Sequence, residues 1–127
     1  MNNAELPVVL LVENDSASRD IIRYFLKEIC KVDFAENGLE ALDKTNYAKY
    51  AAILMDINLG IGINGVETTQ LIKKLPGYEN IPVAAITAYA LAGDKEKFLS
   101  QGCTHYLSKP FDKFKLLNLV KEMLYIK

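Results

Sequence analysis

The sequence predicts an α/β fold built on a parallel β-sheet. Short apolar runs alternate with longer segments of helical spacing, and no repeat, linker or low-complexity stretch interrupts them. This alternation is typical of βα units, in which helices join parallel strands. With 127 residues, 50% of them hydrophobic and 24% charged, the chain is expected to form one domain, residues 1–127, with its own core.

Five strands are predicted from the apolar runs. The runs VVLLV, AAILM and VAAI are continuously apolar, as strands covered on both faces must be, whereas CKVDFA and CTHYL include polar residues, which is typical of edge strands. Right-handed crossovers then favour the strand order 2-1-3-4-5, the flavodoxin-like doubly wound (βα)5 fold. The predicted strands span residues 8–12, 32–35, 51–55, 83–86 and 104–107.

Helical segments follow each predicted strand. The first begins near Asp15 or Ser16, both good N-cap residues, and its apolar face is expected to pack on the sheet. That face carries Ile21, Ile22, Phe25, Leu26 and Ile29.

The other four helices are predicted from turn and cap residues. The second follows Asn37 and Gly38, and the third follows Asn64 and Gly65 and ends near residue 74, before a Pro-Gly pair. The fourth spans about 93–101 and is closed by Gly102, an expected left-handed residue. The fifth opens at Asp112, and its expected apolar positions are Phe114, Leu117, Val120 and Leu124.

Charge and cysteine content bear on the class of partner. The chain has 15 Lys and Arg against 16 Asp and Glu, so it offers no basic field for nucleic acid. No early apolar stretch is long enough for a bilayer, and residues 1–6 lack the basic flank of a secretory signal. We expect a cytoplasmic protein with no nucleic-acid or membrane partner. Cys30 and Cys103 match no metal or redox spacing and are interpreted as buried thiols.

Polar side chains stand at or just beyond the ends of four predicted strands. They are Glu13 and Asn14 after the first strand, Asp56 after the third, Thr87 after the fourth and Lys109 after the fifth. In a doubly wound sheet these ends share one edge beside the reversal of strand order, where ligands bind. Carboxylate and amide oxygens without His or Cys suit Mg²⁺, which often shares its ligands with a phosphoryl group. Lysine and threonine suit the phosphoryl oxygens, and a carboxylate such as that of Asp56 can act as nucleophile.

The segments LLVENDSASR, AAILMDINLG and VAAITAYALAGDKEKFLSQGCTHYLSKPF carry a family resemblance. Their order and spacing resemble the receiver domain of two-component response regulators, especially the receivers of hybrid histidine kinases and single-domain regulators. The resemblance covers nearly the whole chain. It implies that Asp56 accepts a phosphoryl group from a histidine kinase or a histidine phosphotransfer protein. It also implies a downstream protein partner at the face formed by the fourth helix, the fifth strand and the fifth helix, which would include Leu91, Lys95 and Tyr106.

The same resemblance implies roles for the other residues of the site. Metal binding falls to Glu13, Asn14, Asp56 and the backbone carbonyl of Asn58. Thr87 and Lys109 contact the phosphoryl group, and Thr87 acts together with Tyr106 as the conformational switch. The bond between Lys109 and Pro110 matches one that is commonly cis in the family.

Two departures from the family pattern stand out. Position 14 is ordinarily an aspartate, so Asn14 removes one negative charge and predicts weaker Mg²⁺ binding. Asp15 either turns inward to compensate or caps the first helix, and capping is the favoured interpretation. The loop DINLGIGINGVE places Gly65 nine residues after Asp56, one more than usual, with Gly60 where proline is common.

Three classes of function remain open at this point. The first is a phosphoacceptor switch that assists its own phosphorylation and dephosphorylation without being an enzyme on other substrates. The second is a receiver-like interaction module independent of phosphate, which Asn14 would permit. The third is a Mg²⁺-dependent phosphatase, disfavoured because DIN lacks a second aspartate two residues after Asp56.

His105 is interpreted as a solvent-facing strand residue, and Tyr89 as a shield for the phosphoryl group or a cover for the fourth helix. A single-domain regulator and a receiver excised from a longer protein fit the sequence equally.

Overall fold

Five parallel strands form one sheet with helices on both faces. The computed structural model describes residues 6–58, 62–88 and 92–125. The strand order is β2-β1-β3-β4-β5, which confirms the predicted flavodoxin-like topology. The strands are β1 Val8–Val12, β2 Lys31–Ala35, β3 Ala52–Asp56, β4 Val83–Thr87 and β5 His105–Ser108. The helices are α1 Ser16–Leu26, α2 Gly38–Tyr47, α3 Gly65–Lys73, α4 Asp94–Ser100 and α5 Lys113–Tyr125.

Alternate residues of the central strands supply two separate cores. On one face of the sheet, Leu10, Ile53 and Met55 pack with residues of α2, α3 and α4. On the other face, Leu11 and Leu54 pack with residues of α1 and α5. Every residue of β3 and β4 is buried, because both faces of these strands are covered. These strands are therefore covered up to their last residues, Asp56 and Thr87.

Side-chain caps set the starts of several helices. Asp15 accepts hydrogen bonds from the backbone N–H (2.8 Å) and the hydroxyl (2.7 Å) of Ser18, so it caps α1. Asn37 caps α2 by accepting a hydrogen bond from the backbone N–H of Glu40 at 2.9 Å. Asn64 and Glu67 form a reciprocal capping box at α3. The choice of capping for Asp15, favoured from sequence, is confirmed.

Two apolar positions were assigned to the wrong side of their helices. Phe114 is 73% exposed, and α5 instead buries Leu116, Val120 and Met123. Ile21 on α1 is 53% exposed, although its neighbour Ile22 is buried. Each helix carries two overlapping apolar stripes, and periodicity alone does not indicate which stripe faces the sheet.

His105 is also less exposed than expected. Its side chain is only 15% exposed, with Nε2 3.5 Å from Glu122 Oε2 on α5 and Nδ1 2.7 Å from the Thr104 hydroxyl. The interpretation of a solvent-facing residue is therefore wrong, because α5 covers this side of the edge strand.

The expectations for Gly60, Tyr89 and Leu91 concern residues outside those described. No helix in the described part of the chain is long and apolar enough to cross a membrane.

Candidate functional site

Strand register brings the end of β1 beside the end of β3. Val12 of β1 pairs with Met55 of β3, so Glu13 and Asp56 follow side by side at the same edge of the sheet. Both carboxylate residues are buried, at 3% exposure for Glu13 and 7% for Asp56. Two acids at this depth repel each other and lose hydration, so they require a positive partner.

Lys109 supplies that positive charge. Its Nζ lies 3.3 Å from Glu13 Oε1 and 3.8 Å from Asp56 Oδ2. The backbone N–H of Lys109 donates to the carbonyl of Thr87 at 2.8 Å, which ties the segment after β5 to the end of β4. The following Lys109–Pro110 peptide bond is cis. Three strand ends thus deliver two carboxylates and one ammonium to a single cluster.

The electrostatics of Asp56 reflect this crowding. Burial raises the pKa of Asp56 to about 6, and the negative charge of Glu13 adds to the increase. Lys109 opposes the increase, as does the backbone N–H of Asn58, which donates to Asp56 Oδ1 at 3.1 Å. At neutral pH the carboxylate of Asp56 is largely ionised, poorly hydrated and close to a cation.

The remaining predicted residues lie around this cluster at different depths. Thr87, at the end of β4, is 1% exposed, whereas Asn14 and Asn58 are exposed. Asp15 does not turn inward, because its carboxylate caps α1. Its backbone N–H, however, donates to Glu13 Oε2 at 3.1 Å. Within residues 6–58, 62–88 and 92–125, no group of three or more His, Cys, Asp or Glu side chains is placed to hold a metal.

Tyr106 lies farther from the carboxylates, on β5. Its partly buried ring stacks on Phe98 of α4, with centroids 6.2 Å apart and planes 19° apart. In the β4–β5 pairing Tyr106 stands opposite Ala85, two residues before Thr87 along β4. The structure therefore places the two predicted switch residues on neighbouring strands.

Sequence reasoning missed Arg19, which contacts the site from the first turn of α1. Its Nη1 donates to the backbone carbonyl of Glu13 at 2.9 Å. A basic residue six positions after Glu13 has no distinctive pattern in the sequence. Only the fold shows which way its side chain runs.

Comparisons with known proteins agree with this architecture. The family model for the response regulator receiver domain matches residues 9–121. The probable transcriptional regulator ycf29 of Porphyra purpurea is 39% identical over 92% of this chain, and the histidine-protein kinase BarA of Escherichia coli K12 is 34% identical over 88%. The chain spans 56% of the length of the first relative and 12% of the second.

Solved structures show the same likeness. The receiver domain of a sensor histidine kinase from Pseudomonas aeruginosa PAO1, with a magnesium ion coordinated in its active-site cleft, superposes with a TM-score of 0.84 at 30% identity. That match covers 94% of this chain and 98% of the other. Chemotaxis protein CheY4 of Vibrio cholerae superposes with a TM-score of 0.86 at 26% identity, over 94% of this chain and 99% of the other. The chain thus belongs to the response regulator receiver domains of two-component signalling.

Proposed function

We propose that residues 1–127 form a single receiver domain in which Asp56 accepts a phosphoryl group. The observation that carries the proposal is the position of Lys109, whose ammonium lies within 4 Å of both Glu13 and Asp56. This arrangement provides an ionised nucleophile, a cation for the incoming oxygens and a buried hydroxyl from Thr87 at the neighbouring strand end. Phosphoryl transfer needs mainly such positioning and charge stabilisation.

The donor atoms present suit Mg²⁺. This ion accepts one or two carboxylates, keeps several waters and completes its shell with phosphate oxygens. We assign its binding to the carboxylates of Glu13 and Asp56, the amide oxygen of Asn14 and the backbone carbonyl of Asn58. When bound, it offsets the negative charge of the carboxylates and of the phosphoryl oxygens. The relative from Pseudomonas aeruginosa carries magnesium in its own cleft, which supports the assignment.

The chemical step transfers phosphorus from nitrogen to oxygen. A carboxylate oxygen of Asp56 attacks the phosphorus of a phosphohistidine on a kinase or phosphotransfer protein. As the new P–O bond forms, the P–N bond breaks, and its electron pair stays on the imidazole nitrogen, which is then protonated from water. Lys109 exchanges its carboxylate contacts for phosphoryl oxygens, and the Thr87 hydroxyl donates to another phosphoryl oxygen.

A groove next to the cluster fits the phosphodonor protein. It has a volume of about 650 Å³ and lies between α1 and the segment after β5. Its lining is mostly apolar and includes Ile21, Phe25, Pro110 and Phe111, together with Lys109. Because Lys109 both lines this groove and lies 3.8 Å from Asp56, a partner seated in the groove brings its phosphohistidine close to Asp56. This also accounts for the exposure of Ile21.

Phosphorylation is proposed to change the downstream surface. Movement of Thr87 toward the phosphoryl group would shift the equilibrium between two positions of Tyr106, whose ring packs on Phe98. The surface affected is the one formed by α4, β5 and α5, and we assign the downstream protein partner to it. A near-neutral net charge of −1 favours protein over nucleic acid as that partner.

Intact mass spectrometry tests the proposal. Incubation with Mg²⁺ and a small acyl phosphate is expected to add one phosphoryl group, and chelation of Mg²⁺ or Asp56→Asn is expected to abolish it. Asp15→Asn is the matched control, because it also replaces a carboxylate near Glu13 and retains an N-capping side chain. No added mass under any condition would favour the phosphate-independent interaction module. Sustained hydrolysis of unrelated phosphate monoesters would favour a phosphatase.

The docking groove has its own test. Ile21→Glu is expected to slow transfer from a phosphorylated histidine phosphotransfer protein while leaving phosphorylation by the small acyl phosphate unchanged. Phe114→Glu, a similar change at an exposed position of α5 outside the groove lining, is the control. Equal transfer rates in the two variants would contradict the assignment.

A further inference from the structure

Arg19 is unusually well covered for an arginine in the first turn of a helix. Its side chain is only 11% exposed. The guanidinium carbon lies 4.3 Å from the centroid of the Phe34 ring, and Nη2 lies 4.0 Å from Glu36 Oε2. A stacked, hydrogen-bonded guanidinium has a defined orientation, since its planar fork leaves few alternative geometries. The side chain thus links α1 to the end of β2.

In this orientation the guanidinium of Arg19 contacts the backbone of Glu13. Arg19 Nη1 donates to the carbonyl of Glu13 at 2.9 Å, and the N–H of Glu13 donates to the carbonyl of Ala35 at 2.9 Å. Both backbone polar groups of Glu13 are therefore bound. Its carboxylate receives the N–H of Asp15 at 3.1 Å and Lys109 Nζ at 3.3 Å. The Arg19 bond is thus one of the side-chain contacts that hold the start of the segment between β1 and α1.

Charge alone does not explain the arrangement. A guanidinium near a cation-binding site repels the cation, so an arginine acting only through its charge would weaken metal binding. The ion pair with Glu36 contributes little, because Glu36 is 59% exposed. The stack on Phe34 and the bond to the Glu13 carbonyl instead use the shape of the guanidinium, which lysine lacks.

We propose that Arg19 is a positioning residue for the metal site, which holds the Glu13 carboxylate in place through its backbone carbonyl. The inference rests on the proposed function in one respect, namely that Glu13 binds Mg²⁺. Groups that orient metal ligands typically change metal affinity by about 10-fold to 100-fold when they are removed. An effect of at least about 10-fold is expected here.

Calorimetric titration of the metal-free domain with Mg²⁺ provides the test. Arg19→Gln and Arg19→Lys are both expected to weaken Mg²⁺ binding by about 10-fold or more. Arg23→Gln, which removes the same charge from an exposed position one turn later on α1, is expected to bind as the unsubstituted protein does. Saturating Mg²⁺ is expected to restore most of the rate of phosphorylation by acyl phosphate in the Arg19 variants, because the defect lies in metal affinity.

Several results would overturn the inference. Tighter Mg²⁺ binding by Arg19→Gln together with unchanged binding by Arg19→Lys would show that only the charge matters. A lowered melting temperature with unchanged Mg²⁺ affinity would assign Arg19 a purely structural role. Arg19→Lys keeps the charge and most of the packing, and so keeps the test informative if Arg19→Gln fails to fold. Absence of Mg²⁺ binding by the unsubstituted protein would refute the proposed metal site itself, a separate outcome.

Discussion

Replacing Lys109 with methionine is expected to raise the pKa of Asp56. The ammonium stands 3.8 Å from Asp56 Oδ2, where Coulomb's law gives roughly 1 kcal/mol with the dielectric constant of water and roughly 4 kcal/mol at an effective value near 20. One pKa unit corresponds to about 1.36 kcal/mol, so these limits correspond to increases of roughly 1 and 3. Because the Lys109 side chain is 30% exposed, the lower limit is the better guide.

The increase has a measurable consequence near neutral pH. With the pKa of Asp56 moving from about 6 to about 7, the ionised fraction at pH 7 falls from roughly nine-tenths to about half. The carboxyl ¹³C shift of Asp56, followed against pH without metal, reports the apparent pKa directly. Lys109→Arg keeps the positive charge and is expected to leave the pKa of Asp56 at about 6. An unchanged or lowered pKa in Lys109→Met, or an equal increase in Lys109→Arg, would refute the electrostatic reasoning.

Three further substitutions test the charge of Asp56, the metal site and the packing at the start of α3. Asp56→Asn is expected to raise the melting temperature at pH 7 but not at pH 4. The pKa of Asp56 is raised, so the folded protein loses the stabilising neutral form of this acid as pH increases through about 6. Equal changes in melting temperature at both pH values would contradict this. Asn14→Asp places a negative charge beside Glu13 and is expected to tighten Mg²⁺ binding at least about fivefold, as measured by calorimetry. This magnitude is based on ~1 kcal/mol for unit charges about 4 Å apart in water. Equal Mg²⁺ affinities in the two proteins would contradict the prediction. Gly65→Ala would place a Cβ 2.7 Å from the Asp56 carbonyl oxygen and 2.9 Å from Ile57 Cα. The free energy of unfolding, measured with urea, is therefore expected to fall by about 1–3 kcal/mol. An unchanged unfolding midpoint would contradict the tight packing around Gly65.

The strand order was predictable because burial leaves a direct record in composition. A strand covered on both faces is apolar along its length, and β3 and β4 are apolar in every position before their last residues, Asp56 and Thr87. Once the order is known, parallel strands must end at the same edge. The meeting of Glu13, Asp56 and Lys109 is a geometric consequence of that topology.

Other features required the packed structure. Phe114 and Leu116 both fit an apolar helical stripe, and only contact with the sheet decides that Leu116 is buried. The covered position of His105 depends on α5 lying over β5, which the pattern of a single strand does not show. Arg19 is recognisable only by the long side chain that crosses from α1 to Phe34 and the Glu13 carbonyl.

Locating the phosphoryl group is the most direct measurement of the central claim. After treatment with Mg²⁺ and acyl phosphate, borohydride converts an aspartyl phosphate to homoserine, which peptide mass spectrometry assigns to a position. Homoserine is expected at position 56 and nowhere else. A modified carboxylate at Glu13 or Asp15, or a phosphorylated His105, would contradict it.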